Sequence, residues 1–174
     1  MALASSGCWW LQQGPPAPPA RLVERGISRL AVVEFGDATN QNAGKRVAEI
    51  FRQEMAQAIG KEWVRLHDLE EPPQGPRPVG FIGVSQAQQL GRLNQVDGLV
   101  SGQVLAYHWQ RPHERVWVSV SVRLLESRRG TIIWSRNATG TLPARSPAEL
   151  NERINAATHL AAKEFVNDLL GSPP

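Results

Sequence analysis

Few residues in this chain have both the type and the spacing that chemistry requires. The four histidines, His67, His108, His113 and His159, are spread over a predicted strand, a hairpin tip and the last helix. His108 and His113 can meet across the tip, but no fixed pair of carboxylates stands nearby, so they read as solvated side chains and not as a metal site. The sequence has no nucleophile elbow, no HExxH and no carboxylate pair placed for acid and base roles. Gly36 to Lys45, GDATNQNAGK, matches neither GxGxxG nor the phosphate-cradling loop that ends in GK and a hydroxyl residue. A protein without catalytic activity, cofactor or metal is therefore expected.

The one residue with a covalent role in prospect is Cys8, which closes the small-residue run ALASSGC. Small side chains before a scissile bond let a peptidase grip it, and a thiol just after can carry a diacylglycerol. Ser5 stands where such signals usually have leucine, and the segment lacks a basic start and an apolar stretch. A lone reduced cysteine in a terminus remains the alternative. Trp9 and Trp10 fit a membrane interface, where indole rings favour the headgroup level.

Positioning these residues falls to one domain and a tether. With 174 residues, 41% of them apolar, the chain can bury one sizeable core. Residues 1–26 form the lipoprotein-like N-terminus with the proline-rich spacer LQQGPPAPPA, extended and semi-rigid, and residues 27–171 form a single α/β domain. From Cys8 the tether reaches at most about 65 Å, at roughly 3.3 Å per residue. A net charge of +3, with arginines scattered along the sequence and no basic block, argues against a nucleic-acid partner. No apolar run is long enough for a spanning helix.

The organising stretch is residues 96–141, read as a three-stranded antiparallel meander. Val116, Val118, Val120, Val122 and Leu124 fall on one face of its middle strand, and Trp117, Ser119, Ser121 and Arg123 on the other. Gly130 supplies the positive φ of the second turn. The first turn, Trp109 to His113, carries Pro112, which keeps it out of the ladder. Before the meander, RLAVVEF predicts a strand, Ala43 to Ile59 a helix capped by Asn42, Glu62 to Leu66 a second strand, and Ser85 to Leu93 a helix capped by Ser85. After it, Ser146, Pro147 and Glu149 spell a capping box for a helix to Leu170, closed by Gly171, with Leu150, Ile154, Ala157, Ala161, Phe165 and Leu169 as its core stripe. Leu160, Val166 and Leu170 lie off that stripe and suggest an oligomer contact. The expected fold is α/β (α+β): a single-layer mixed five-stranded sheet packed with three helices, in the order β-α-β-α-β-β-β-α.

Three segments, RLAVVEF, LGRLNQVDGLVSGQV and VRLLESRRGTIIWS, in this order and spacing, resemble the periplasmic lipoproteins related to the curli secretion channel CsgG. The likeness covers about residues 27–170. It implies an anticodon-binding-like α/β core and a place on the periplasmic side of the outer membrane, held by a lipid on Cys8. Channel-forming relatives carry extra membrane hairpins, for which the connections here are too short. The chain is most similar to the small, short-tethered, ring-forming accessories of Pel-type exopolysaccharide export. Implied partners are further copies of the chain, an outer-membrane export protein and the exported polysaccharide. Trp9, Trp10 and Trp109 would then meet lipid, and His108, Arg111, Pro112 and His113 a partner or a neighbouring subunit. A polycationic polymer would require Asp and Glu to be segregated on one face of this basic chain. Two alternatives stand: a monomeric lipoprotein that regulates a periplasmic cell-wall enzyme, and a nucleic-acid-binding domain.

Overall fold

The computed structural model describes residues 19–60, 63–70, 78–110, 113–144 and 146–171. Cys8, Trp9 and Trp10, and Arg111 and Pro112 of the hairpin tip, lie outside the described residues. The described chain runs α1 (Ala20–Val23), β1 (Arg29–Val32), β2 (Gly36–Asp37), α2 (Gly44–Ala58), β3 (Arg65–His67), α3 (Val84–Asn94), β4 (Gly98–Gln110), β5 (Arg115–Glu126), β6 (Thr131–Pro143) and α4 (Leu150–Leu170). This is the expected α/β fold around one mixed sheet, with one strand and one helix more than the sequence pattern shows. Both additions are too short to carry a period. β2 is two residues within a turn-rich loop that pair in parallel with Gln103 and Val104 of β4. α1 is a single turn after the prolines, whose Leu22 is fully buried in the main core.

The sheet order is β3-β1-β4-β5-β6, with β2 beside β4. β1 lies parallel to both β3 and β4, so the predicted β-α-β unit forms. β3 begins at Arg65, later than predicted, and the N–H groups of Trp63 and Val64 both donate to the Gly60 carbonyl instead of to a strand. The three meander strands pair antiparallel as expected, and Gly130 takes a φ of +69° in their second turn.

Alternation sorts the side chains into two cores. Val116, Val118, Val120, Val122 and Leu124 are at most 1% exposed and face α2 and α4. Four aromatic rings run through that layer, Phe35 to Phe51 at 5.2 Å, Phe51 to Phe165 at 5.5 Å and Phe165 to Trp134 at 4.9 Å, each in the tilted or edge-on geometry that ring quadrupoles favour. On the opposite face a smaller cluster, which includes Ala31, Val33, Ala87, Leu90 and Leu99, seats α3. The stripe of α4 is buried as predicted from Ile154 to Leu169, and Val166, expected off the stripe, joins the core while Leu160 stays exposed. α4 lies so close to β6 that a Cβ on Gly140 would collide with the Ala157 backbone carbonyl. Arg136 of β6 ties the same pair together, 3.1 Å from Glu164 and 3.0 Å from Asp168.

The helix starts differ from the sequence reading in each case. At α4 the Pro147–Glu149 segment winds as a 3-10 turn, the Glu149 N–H reaches the Ser146 backbone carbonyl, and no side-chain cap forms. At α2 Asn42 adopts a φ of +56°, and the capping acceptor is Asp37, whose Oδ2 takes the Ala43 N–H at 2.8 Å. At α3 the cap residue is Gly83, not Ser85, and its N–H donates to Gln86 Oε1 at 3.1 Å. In all three the backbone path before the helix decides which oxygen reaches its free N–H groups.

Candidate functional site

On the face of the meander turned away from α2 and α4, Ser101, Ala106 and Ser119 are buried, and Phe81 covers one end. There Arg123 lies over Phe81, its guanidinium carbon 3.8 Å from the ring centroid. Toward the other end β4 and β5 extend well past β1, and the register sets His108 opposite Trp117, Ala106 opposite Ser119 and Gln103 opposite Ser121. The His108 and Trp117 rings meet edge to face at 5.7 Å. On β6 the matching positions are Asn137, Thr139 and Thr141, all exposed. A bulge between Val104 and Ala106 leaves Leu105 46% exposed. Aromatic rings flanked by hydroxyls and amides suit sugar stacking or packing against another protein, since an indole offers a large flat surface with one donor.

Of the residues expected to make contacts, this face holds His108. Trp109, one position on, points to the other side of the strand, packs against the main core and donates its indole N–H to the Ala144 carbonyl at 3.1 Å. His113 is exposed beyond the ladder. The structure therefore joins His108 to Trp117 and separates it from Trp109. Trp117 was legible as a residue of the wet face, whereas the exposed Leu105 depends on a bulge with no sequence signal.

Two aspartates organise the loops around the sheet. Asp37 accepts from the Thr39 N–H at 2.7 Å, the Thr39 hydroxyl at 2.6 Å, the Gln41 N–H at 3.0 Å and Ala43 as above. Burial raises its pKa, but these hydrogen bonds outweigh burial and hold the carboxyl below the ordinary aspartate value. Asp97, at the start of β4, accepts from the Ser28 hydroxyl at 2.9 Å and the Ser28 and Arg29 N–H groups at 3.3 and 3.1 Å. Here too burial acts upward and is outweighed, by Ser28 and then by Arg29, so the carboxyl stays ionised. Elsewhere, His159 of α4 meets Glu54 of α2 at 2.7 Å. Among the described residues no group of three or more His, Cys, Asp or Glu is placed to hold a metal ion. No described helix is long and apolar enough to cross a membrane.

The arginines that look scattered in sequence converge in space. Arg29 and Arg65 are register partners at the start of β1 and β3. Arg92 and Arg128 line a cleft with Arg29, and Arg21 and Arg25 line a second with Trp134 and Leu169. All of them lie at the end of the sheet where the chain enters the domain.

These features define a class: a mixed sheet with a short parallel β-α-β start, a long antiparallel meander and a closing helix. No family model and no curated protein matches the chain. Solved structures do. A point variant of PelC from Paraburkholderia phytofirmans, a dodecamer, is 22% identical over 92% of this chain and 94% of its own, with a TM-score of 0.58. A Xanthomonas campestris protein is 12% identical over 82% and 84%, with a TM-score of 0.55. Lipoprotein GNA1162 from Neisseria meningitidis is 15% identical over 83% and 99%, with a TM-score of 0.50. The chain shares the fold of PelC.

Proposed function

We propose that the chain is a non-enzymatic, lipid-anchored subunit on the periplasmic side of the outer membrane, which assembles into a ring as an accessory of Pel-type exopolysaccharide export. The observation that carries this is the near full-length likeness to PelC, 92% of one chain on 94% of the other. The PelC structures are dodecamers. In this account Cys8 carries the lipid and Trp9 and Trp10 sit at the membrane interface. The meander tip, with His108, Arg111, Pro112 and His113, meets a neighbouring subunit or the export protein. Trp117, exposed beside His108, is the indole best placed to join that contact, since Trp109 is already committed to the core and to Ala144. Removing the protein from its host should abolish polysaccharide at the cell surface while polymer synthesis continues. Unchanged surface polysaccharide would contradict the export role.

A further inference from the structure

We propose that the cleft between α3, the β5–β6 turn and the start of β4 binds a phosphate-bearing anion. The cleft has a volume of about 340 Å³ and is lined by Arg29, Arg92, Arg128, Gln88, Gln95 and Asp97, among others. Its three guanidinium groups come from three separate elements: a strand, a helix and a turn. Asp97 is the only carboxylate among the lining residues. Its Oδ2 is occupied by Ser28 and the Arg29 N–H, and its Oδ1 lies 3.6 Å from Arg29 Nη2 and 4.0 Å from Arg128 Nη2. Among the described lining residues one carboxylate is set against three guanidiniums, an excess of two positive charges.

The role of Asp97 is to position. A guanidinium offers five N–H donors in a planar fork, and each contact with Asp97 engages one terminal nitrogen of Arg29 or Arg128, leaving their other donors available to the cleft. Gln88 holds the turn that carries Arg128, donating from Nε2 to the Arg128 carbonyl at 3.2 Å. Arg92 has no ion-pair partner among the described residues and is exposed at the cleft wall. Donors that approach from several directions suit a tetrahedral phosphate with its several oxygens better than a flat carboxylate. The phosphate can come from a lipid headgroup or from solution. The position of the cleft favours lipid, because Arg21 and Arg25 flank the same end of the sheet, where the N-terminal tether joins the domain. That preference rests on the proposed anchoring of the chain, whereas the anion site itself does not.

The test uses the full chain and an Arg92→Ala/Arg128→Ala double variant, with Arg153→Ala on α4 as a surface-charge control. Binding of inorganic phosphate is followed by calorimetry at low ionic strength. Vesicle binding is followed by sedimentation with phosphatidylcholine alone and with added phosphatidylglycerol. For a lipid site, the wild type binds phosphate and the anionic vesicles, and the double variant loses about thirtyfold in vesicle affinity, the effect of two surface arginines on acidic headgroups. Binding of free phosphate with the same loss, but no preference for anionic vesicles, supports the site with solution phosphate as its ligand. No phosphate binding, or equal binding by wild type and double variant, overturns the site. Tighter and equally variant-sensitive binding to random duplex DNA overturns the lipid assignment. If the anion site fails while light scattering still finds a ring, the export reading stands without it.

Discussion

Gly140→Ala tests the closest approach in the fold, where α4 crosses β6. The new Cβ would stand under 3.0 Å from the carbonyl carbon and oxygen of Ala157 and 3.1 Å from its Cα. These are backbone atoms in the middle of a 21-residue helix, so no side chain can rotate out of the way. The helix must move off the sheet by about 1 Å, and a gap of that size forfeits a quarter to a half of each dispersion contact across it. Ala157, Ala161, Phe165 and Leu169, all fully buried, lie along that interface. Overpacking in a rigid site typically costs about 1–3 kcal/mol, and the upper end is expected here because both partners are backbone. A chain of this size loses about 2–4 °C of melting temperature per kcal/mol, so the midpoint should fall by roughly 6–12 °C. The assay is urea and thermal unfolding followed by circular dichroism, with Gly83→Ala as control, since nothing lies within 4 Å of a Cβ placed there. A Gly140→Ala protein as stable as the Gly83→Ala control would refute the close packing of α4 on β6.

Asp37→Asn should flatten the acid limb of stability. The folded pKa of Asp37 lies below the ordinary aspartate value of 3.8, so its contribution is full above that value and is lost as pH falls through the folded one. Urea midpoints measured across that range should converge for wild type and variant, and parallel curves would contradict the role of Asp37. Asp37→Ala removes the acceptor at the start of α2 and should cost about 1–2 kcal/mol at neutral pH. Trp117→Ala should cost about 1 kcal/mol or less through its edge contact with His108, yet shift the particle mass toward monomer; an unchanged assembly would exclude this face from the subunit contact. Cys8→Ser should move the protein from the membrane to the soluble envelope fraction in cells that process the full signal, and unchanged membrane retention would remove lipidation from the account.

The order of the main elements was legible because their periods are long. β5 alternates over twelve residues and α4 repeats over 21, and both buried sets emerged as the pattern requires. Short pieces were not legible. β2 and α1 have two and four residues and exist because β4 and the main core receive them. The caps depart from the sequence pattern for a related reason: Asn42 and Ser85 have suitable side chains, but the loop turns Asp37 toward α2 and places Gly83 at the start of α3. At the candidate surface, alternation alone separates Trp117 from the core-facing valines, and adjacency hides the fact that His108 and Trp109 lie on opposite faces. The arginine cleft was invisible, since Arg29, Arg92 and Arg128 are far apart in sequence and meet only through the strand order β1-β4-β5.

The central claim is assembly. Light scattering on the detergent-solubilised, cell-expressed chain, followed by imaging of the same peak, should give one large, uniform species that appears as closed rings. A clean monomer at working concentration would contradict the ring and leave a tethered regulator as the better account.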